Sequence, residues 1–424
     1  MAPTAVSQKI EDLGNTLKQT KLSNKIEGVI NYGDLKAKAA NIQKAEQEND
    51  DAYPYEFLRP SHPEIKWEPI GELEFHDVGL DAPQAKREDN LSGVFSNDDY
   101  SNLFSKATKI VHLTHKVGTE LHGVNLADLT DVEKRELALL IARRVVVFFK
   151  KQTDLTIEKQ LELGEFYGPL HRHATTGLPK GFDVNNKDTK YLDQVHVIWA
   201  DSKRLPRSYS AFPSTFLWHS DVSYEVQPPS YTSLKLLTAP TTGGDTLWIS
   251  GYDLYDQLSP ALKVYVESHS ALHSAVEQAN DAKRAGTTVR REPIVTEHPL
   301  VRVHPVTGWK ALYVNPGFTR SIVGVPKGES DAILKYLFEL VATSQAATVR
   351  FKWEKDDVAY WDNRIAVHSA TYGFYPERRH GVRVTAHGEK PSYDAAGHSQ
   401  QADIDELLRV VRDTDGSLGG NYND

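Results

Sequence analysis

The chain has 424 residues, 39% hydrophobic and 25% charged, with a formal net charge of -9. That composition supports a sizeable core in one large domain or two modest ones, and its acidic balance argues against a nucleic-acid-binding face. The 0 cysteines exclude disulfides and thiolate metal sites, and no apolar run approaches the roughly 20 residues that span a bilayer.

Residues 1–105 read as a polar N-terminal arm and extended surface segment. The start, MAPTAVSQKIEDLGNTLKQ, has no hydrophobic signal core and mixes acids with lysines, so a cytoplasmic protein is expected. Tyr53-Pro-Tyr-Glu-Phe-Leu-Arg-Pro60 places anchoring aromatics between prolines and predicts an extended strap on the domain surface. Residues 106–395 carry the globular pattern. A strand is predicted at 110–113. A helix follows 126–130, capped by Thr130 or Asp131, with Leu137, Leu139, Leu140 and Ile141 on its apolar face. Residues 145–149 read as a strand buried on both sides, and 156–167 as a helix stopped by Gly168-Pro169. The Gly, Pro, Ser, Asn and Lys-rich stretch 174–217 predicts a long lid or binding loop, with a short strand at 195–199.

Beyond Trp218, strands are predicted at 230–237 and 246–249, joined by the turn Thr242-Gly-Gly-Asp245. Residues 251–274 are helical in character, and the basic stretch 275–298 reads as a solvated, mobile loop. A hairpin at 301–303 and 311–314 comes next. The helix at 330–343 has Ile333, Leu334, Leu337, Phe338 and Val341 on one face. Strands at 348–353, 358–361 and 381–385 follow, then a tail, 396–424, with one helical segment near 404–411. Many strands broken by a few helices, without a βαβ rhythm, predict a mainly β (α+β) fold: a sandwich or jelly roll with flanking helices.

Candidate chemistry starts at His219-Ser220-Asp221. On a strand, alternate side chains share a face, so the imidazole and the carboxylate would point the same way. They form two legs of a facial metal site, which a second histidine completes, as in non-haem Fe(II) oxygenases. Alone, the pair reads first as a surface histidine beside a turn carboxylate, and the metal reading needs support further along the chain. His368, after an apolar strand and a turn, is the best third leg. Arg379 and Arg383 share a face of the next strand, with Gly381 between them leaving room for a ligand. Buried guanidiniums grip oxyanions bidentately, although the same spacing suits an exposed basic edge strand. His269-x-x-x-His273 has zinc-site spacing but lacks the glutamate of a zinc hydrolase.

In order, His219-x-Asp221, Gly243-Gly-Asp-Thr246, Trp361-Asp-Asn-Arg364 with His368, and Arg379 with Arg383 resemble the taurine dioxygenase family. Those are Fe(II)/2-oxoglutarate-dependent dioxygenases, and the phrase Ser223-Tyr-Glu-Val-Gln-Pro-Pro-Ser-Tyr231 is closest to their fungal sulfonate branch. The resemblance implies a double-stranded β-helix, with His219, Asp221 and His368 holding Fe(II) and Arg379 with Thr246 holding 2-oxoglutarate. It implies Arg383 and His173 on a substrate sulfonate, Phe318 as a pocket wall, and O2 as co-substrate. Thr176 and Thr215 stand where taurine dioxygenase has a tyrosine and an asparagine that help recognise taurine. The substrate expected is therefore a small anion, a sulfonate or sulfate ester. A relative acting on a carboxylate such as a phenoxyacetate or a fungal metabolite is the alternative. A homo-oligomer, dimer or tetramer, is expected, with no nucleic-acid or membrane partner.

Overall fold

The computed structural model describes residues 53–82, 97–201, 214–374 and 377–411, with Ala37 and Ala40 besides. Most of the polar arm and the end of the tail lie outside the described residues, as does much of the second half of the long excursion (202–213).

Seven strands form the larger sheet, in the order Lys109–His112, Thr119–His122, Val146–Phe149, Val358–Asp362, Pro229–Thr238, Arg379–His387 and His196–Ala200. All neighbours are antiparallel except Thr119–His122 with Val146–Phe149. A second sheet places Thr246–Ser250 between Thr348–Phe351 and Ala366–Ala370. The strands before and after the Gly-Gly turn therefore belong to different sheets and do not form a hairpin. The sheets face one another across a core containing Phe148, Leu234 and Trp361 from one side and Trp248, Phe351 and Ala366 from the other. Phe148 and Phe351 stack at 4.1 Å across this seam. Sheet content dominates and helices flank it, as the strand-rich sequence predicts. No helix of the described residues is long and apolar enough to cross a membrane.

The helix Asp131–Arg144 starts with a capping box, in which Thr130 and Glu133 each satisfy the other's backbone N–H. It buries Leu137, Leu139, Leu140 and Ile141, the predicted face. In its last turn Arg144 donates to the carbonyls of Thr114, His115 and Gly118, and burial lowers its pKa to about 10. The helix Lys327–Thr343 buries Leu334, Leu337 and Val341, while Ile333 and Phe338 pack at its margin.

Four expectations need correction. The helical stretch 251–274 ends early: Gly251–Asp256 and Pro260–Glu267 are helices, but Ser270–Ser274 is a strand whose Ala271 and His273 point inward. Residues 275–298 are no solvated loop. Val276–Arg284 is a helix, Val295–Pro299 is a strand, and Arg290 and Arg291 are buried. The reason is tertiary: Arg290 donates to the Thr176 carbonyl and Arg291 pairs with buried Glu225. The strap is not simply extended on the surface. It makes a turn at Glu56–Leu58, buries Leu58, and bonds the Tyr53 hydroxyl to Thr238 and His380. Gly381 leaves room for a neighbouring strand, since a Cβ there would lie 2.9 Å from Leu234 Cδ1 and 3.0 Å from the Lys235 carbonyl.

Candidate active site

Sequence positions 219 and 368 meet as an antiparallel bridge pair. The His219 N–H donates to the His368 carbonyl at 2.9 Å, and the His368 N–H returns the bond at 2.8 Å. The Ser220 hydroxyl adds a bond to the Ala366 carbonyl at 2.7 Å. Only His219 is strand-like in this stretch, because Asp221 opens a turn closed by the Glu225 N–H on the Val222 carbonyl at 2.9 Å. Within that turn Val222 sits at φ 39°, a strained conformation for a β-branched residue. The expected shared face nevertheless holds: Asp221 Oδ1 lies 3.6 Å from both His219 Nε2 and His368 Nε2.

These three residues form the only cluster of potential metal ligands among the described residues, with one atom from each within 4.8 Å of the others. The donor set fits a first-row ion with bonds of roughly 2.1 Å. His219 Nδ1 bonds the Leu217 carbonyl at 2.8 Å, which leaves Nε2 with its lone pair toward the others. Asp221 Oδ2 is buried and has no hydrogen-bond partner. Burial disfavours the Asp221 carboxylate, but Arg383, His368 and His219 outweigh it and hold its pKa well below the usual range. Burial lowers His368 to about 3, so its imidazole is neutral at ordinary pH, the form that can ligate a metal.

Beside this cluster, Arg379 Nε donates to the Gly244 carbonyl at 3.0 Å and Nη2 to Thr246 Oγ1 at 3.3 Å. The Trp353 indole N–H donates to the same hydroxyl at 3.0 Å. Gly243 and Gly244 take positive φ values of 75° and 72°, and a Cβ on Gly244 would lie 3.2 Å from Arg379 Cδ. The Gly-Gly turn is thus what admits the guanidinium. Burial lowers Arg379 to about 10 against smaller opposing fields from Tyr372 and from the Asp245 carboxylate, which is itself ion-paired with Arg350. A buried cation in that state is a receptor for a carboxylate.

A sequence profile described as "Taurine catabolism dioxygenase TauD, TfdA family" matches residues 109–385. The chain belongs to the TauD/TfdA family. A Schizosaccharomyces pombe protein provisionally named an alpha-ketoglutarate-dependent sulfonate dioxygenase is 41% identical over 89% of this chain and 88% of its own. An alpha-ketoglutarate-dependent sulfonate dioxygenase of Saccharomyces cerevisiae is 37% identical over 83% of this chain and 82% of its own. Among solved structures, a taurine dioxygenase from Burkholderia xenovorans superposes with a TM-score of 0.54 at 32% identity, covering 68% of this chain and 94% of that one.

In this TauD/TfdA member one cavity of about 410 Å³ gathers nearly every residue singled out from sequence. His173, Thr176, His219, Asp221, Thr246, Phe318, His368, Arg379 and Arg383 all line it. Thr215 does not. It lies in the 3-10 turn Ser214–Leu217, where its carbonyl accepts from the Trp218 N–H at 3.3 Å. Arg383 Nη1 contacts Asp221 Oδ1, and Nη2 contacts His196 Nδ1. Phe318 stands edge-on to His219 with ring centroids 6.2 Å apart. Two further residues in contact with this cluster escape the sequence reading. His196 lies opposite Arg383 in the strand register. Asn363, within the quoted Trp-Asp-Asn-Arg motif, accepts the Asp221 N–H at 3.1 Å. A histidine in an otherwise apolar predicted strand was the available signal for His196, but its neighbour is known only once the strands pair.

Proposed function

We propose that the chain is an Fe(II)- and 2-oxoglutarate-dependent dioxygenase acting on a small organosulfonate or sulfate ester. It would hydroxylate the carbon next to sulfur, or next to the ester oxygen. A sulfonate then yields sulfite and an aldehyde, with succinate and carbon dioxide as co-products. The two facing sheets are read as the double-stranded β-helix of the family. The observation that carries the proposal is the convergence of His219, Asp221 and His368 with two buried guanidiniums in one cavity.

His219, Asp221 and His368 would hold the iron, which with 2-oxoglutarate and O2 supplies the oxidising power. Arg379 and the Thr246 hydroxyl orient the distal carboxylate of 2-oxoglutarate. Arg383 and His173 anchor the substrate anion, and Phe318 with Val222 closes an apolar wall around its carbon chain. Fixed donors on the anion place the reacting C–H bond at one distance from the metal, which is where orientation contributes to rate. Relatives named as sulfonate dioxygenases support this substrate over a carboxylate.

An anaerobic titration with Fe(II) and 2-oxoglutarate, followed by O2 and a panel of sulfonates, sulfate esters and carboxylates, tests the reading. Succinate formed with sulfite from a sulfonate is the expected result, and Asp221→Ala should abolish it. Succinate coupled only to carboxylates would refute the sulfonate assignment.

A further inference from the structure

Arg383, His173 and His196 line the same cavity, and the bonds behind each imidazole fix where its proton sits. The Thr175 backbone N–H donates to His173 Nδ1 at 3.2 Å, so the neutral ring carries its proton on Nε2. Arg383 Nη2 contacts His196 Nδ1, and a guanidinium can only donate, so His196 also carries its proton on Nε2. No group among the described residues accepts from either Nε2. The two rings are neighbours, with centroids 4.6 Å apart. Strand pairing sets this arrangement, since His196 lies directly opposite Arg383. Burial keeps both imidazoles well below their ordinary pKa, and so neutral.

We propose that His196 is a third anion donor of the substrate site, so that Arg383, His173 and His196 together offer one donor to each oxygen of a three-oxygen monoanionic head. A carboxylate has lone pairs enough for three donors, but they lie in one plane on two oxygens, so donors placed for a three-oxygen head meet it with poorer geometry. Asp221 is the only carboxylate lining the cavity among the described residues. Among the described lining residues, then, no second carboxylate is available to pair with a cationic tail. The inference rests on the functional reading for the location of the substrate anion, and its test reads binding without turnover.

The full-length enzyme, loaded anaerobically with Fe(II) and 2-oxoglutarate, is titrated with pentane-1-sulfonate and with hexanoate. Wild type should bind the sulfonate about tenfold more tightly than the carboxylate. His196→Leu should lose about tenfold for the sulfonate and stay within about twofold for hexanoate. His196→Gln, which keeps an N–H donor, should recover most of the loss. Unchanged 2-oxoglutarate binding in both variants checks that the fold is intact. Equal losses for both anions would mean that His196 only positions Arg383, and would overturn the proposal. No loss for either, or a wild-type preference for hexanoate, would overturn it too. Discrimination as expected without sulfite release on admitting O2 would refute the proposed reaction and leave the role of His196 standing.

Discussion

Replacing Asn363 with alanine is expected to loosen the proposed metal site without removing any of its three candidate ligands. Asn363 is 1% exposed, and its Oδ1 accepts from the Asp221 N–H and the Trp361 indole N–H, both at 3.1 Å. Its Nδ2 donates to Thr232 Oγ1 at 2.6 Å. Alanine leaves two buried N–H groups without an acceptor, whereas Thr232 Oγ1 keeps Thr385 Oγ1 at 3.3 Å. At about 1–3 kcal/mol for each orphaned group, less some relaxation, stability should fall by about 2–4 kcal/mol. The backbone of Asp221 also loses its fixed position against the two histidines. Losses of outer support of this kind weaken metal binding by about 10–100-fold. Urea unfolding of the metal-free protein measures the first effect. Anaerobic competition titration of Fe(II), well below the unfolding range, measures the second. A destabilised variant with wild-type iron affinity would refute the argument that this amide aims Asp221.

Arg379→Leu should raise KM for 2-oxoglutarate by about 100-fold, as expected when one member of a buried charge pair is truncated; unchanged 2-oxoglutarate binding would remove Arg379 from that role. Arg383→Ala should chiefly raise KM for an anionic substrate, and steady-state kinetics showing an unchanged KM would count against its assignment. Stability should also fall in mild acid. Burial pushes His298, His380 and His387 each down to about 4, below the roughly 6.5 of an exposed imidazole. Between those values the unfolded chain binds more protons than the folded one. Their contribution is therefore complete above pH ~6.5 and is lost as pH falls toward ~4, about 3 kcal/mol for each ring. Urea midpoints measured from pH 7.5 down to 5 should decline steadily, and a flat profile would contradict the burial of these rings.

Much of the geometry of the proposed metal and 2-oxoglutarate site was legible because it is written in short local patterns. A histidine and an aspartate two residues apart share a side wherever the backbone is extended, and His219 with Asp221 does so although only one residue of that stretch is in a bridge. Gly243-Gly244 signalled a tight turn, and its positive φ values admit Arg379. The helix Asp131–Arg144 was equally readable, because cap and apolar face both follow from spacing within it. Errors fell where long-range partners override local composition. Arg290 and Arg291 read as solvent-facing charge, yet the Thr176 carbonyl and Glu225 hold them inside. Ser270–Ser274 continued a helical pattern, but pairing with Val295–Pro299 and Thr319–Ile322 made it a strand.

By itself, then, the sequence determined which residue types were available for iron and carboxylate chemistry, and which segments had the periodicity to become strands or helices. Both are set by side-chain chemistry and by the repeat of the backbone. Only the tertiary structure decided that His368 pairs with His219, that the glycine turn separates two sheets, and that His196 faces Arg383. Register between distant strands depends on the whole core closing at once, and no local window of the chain contains that information.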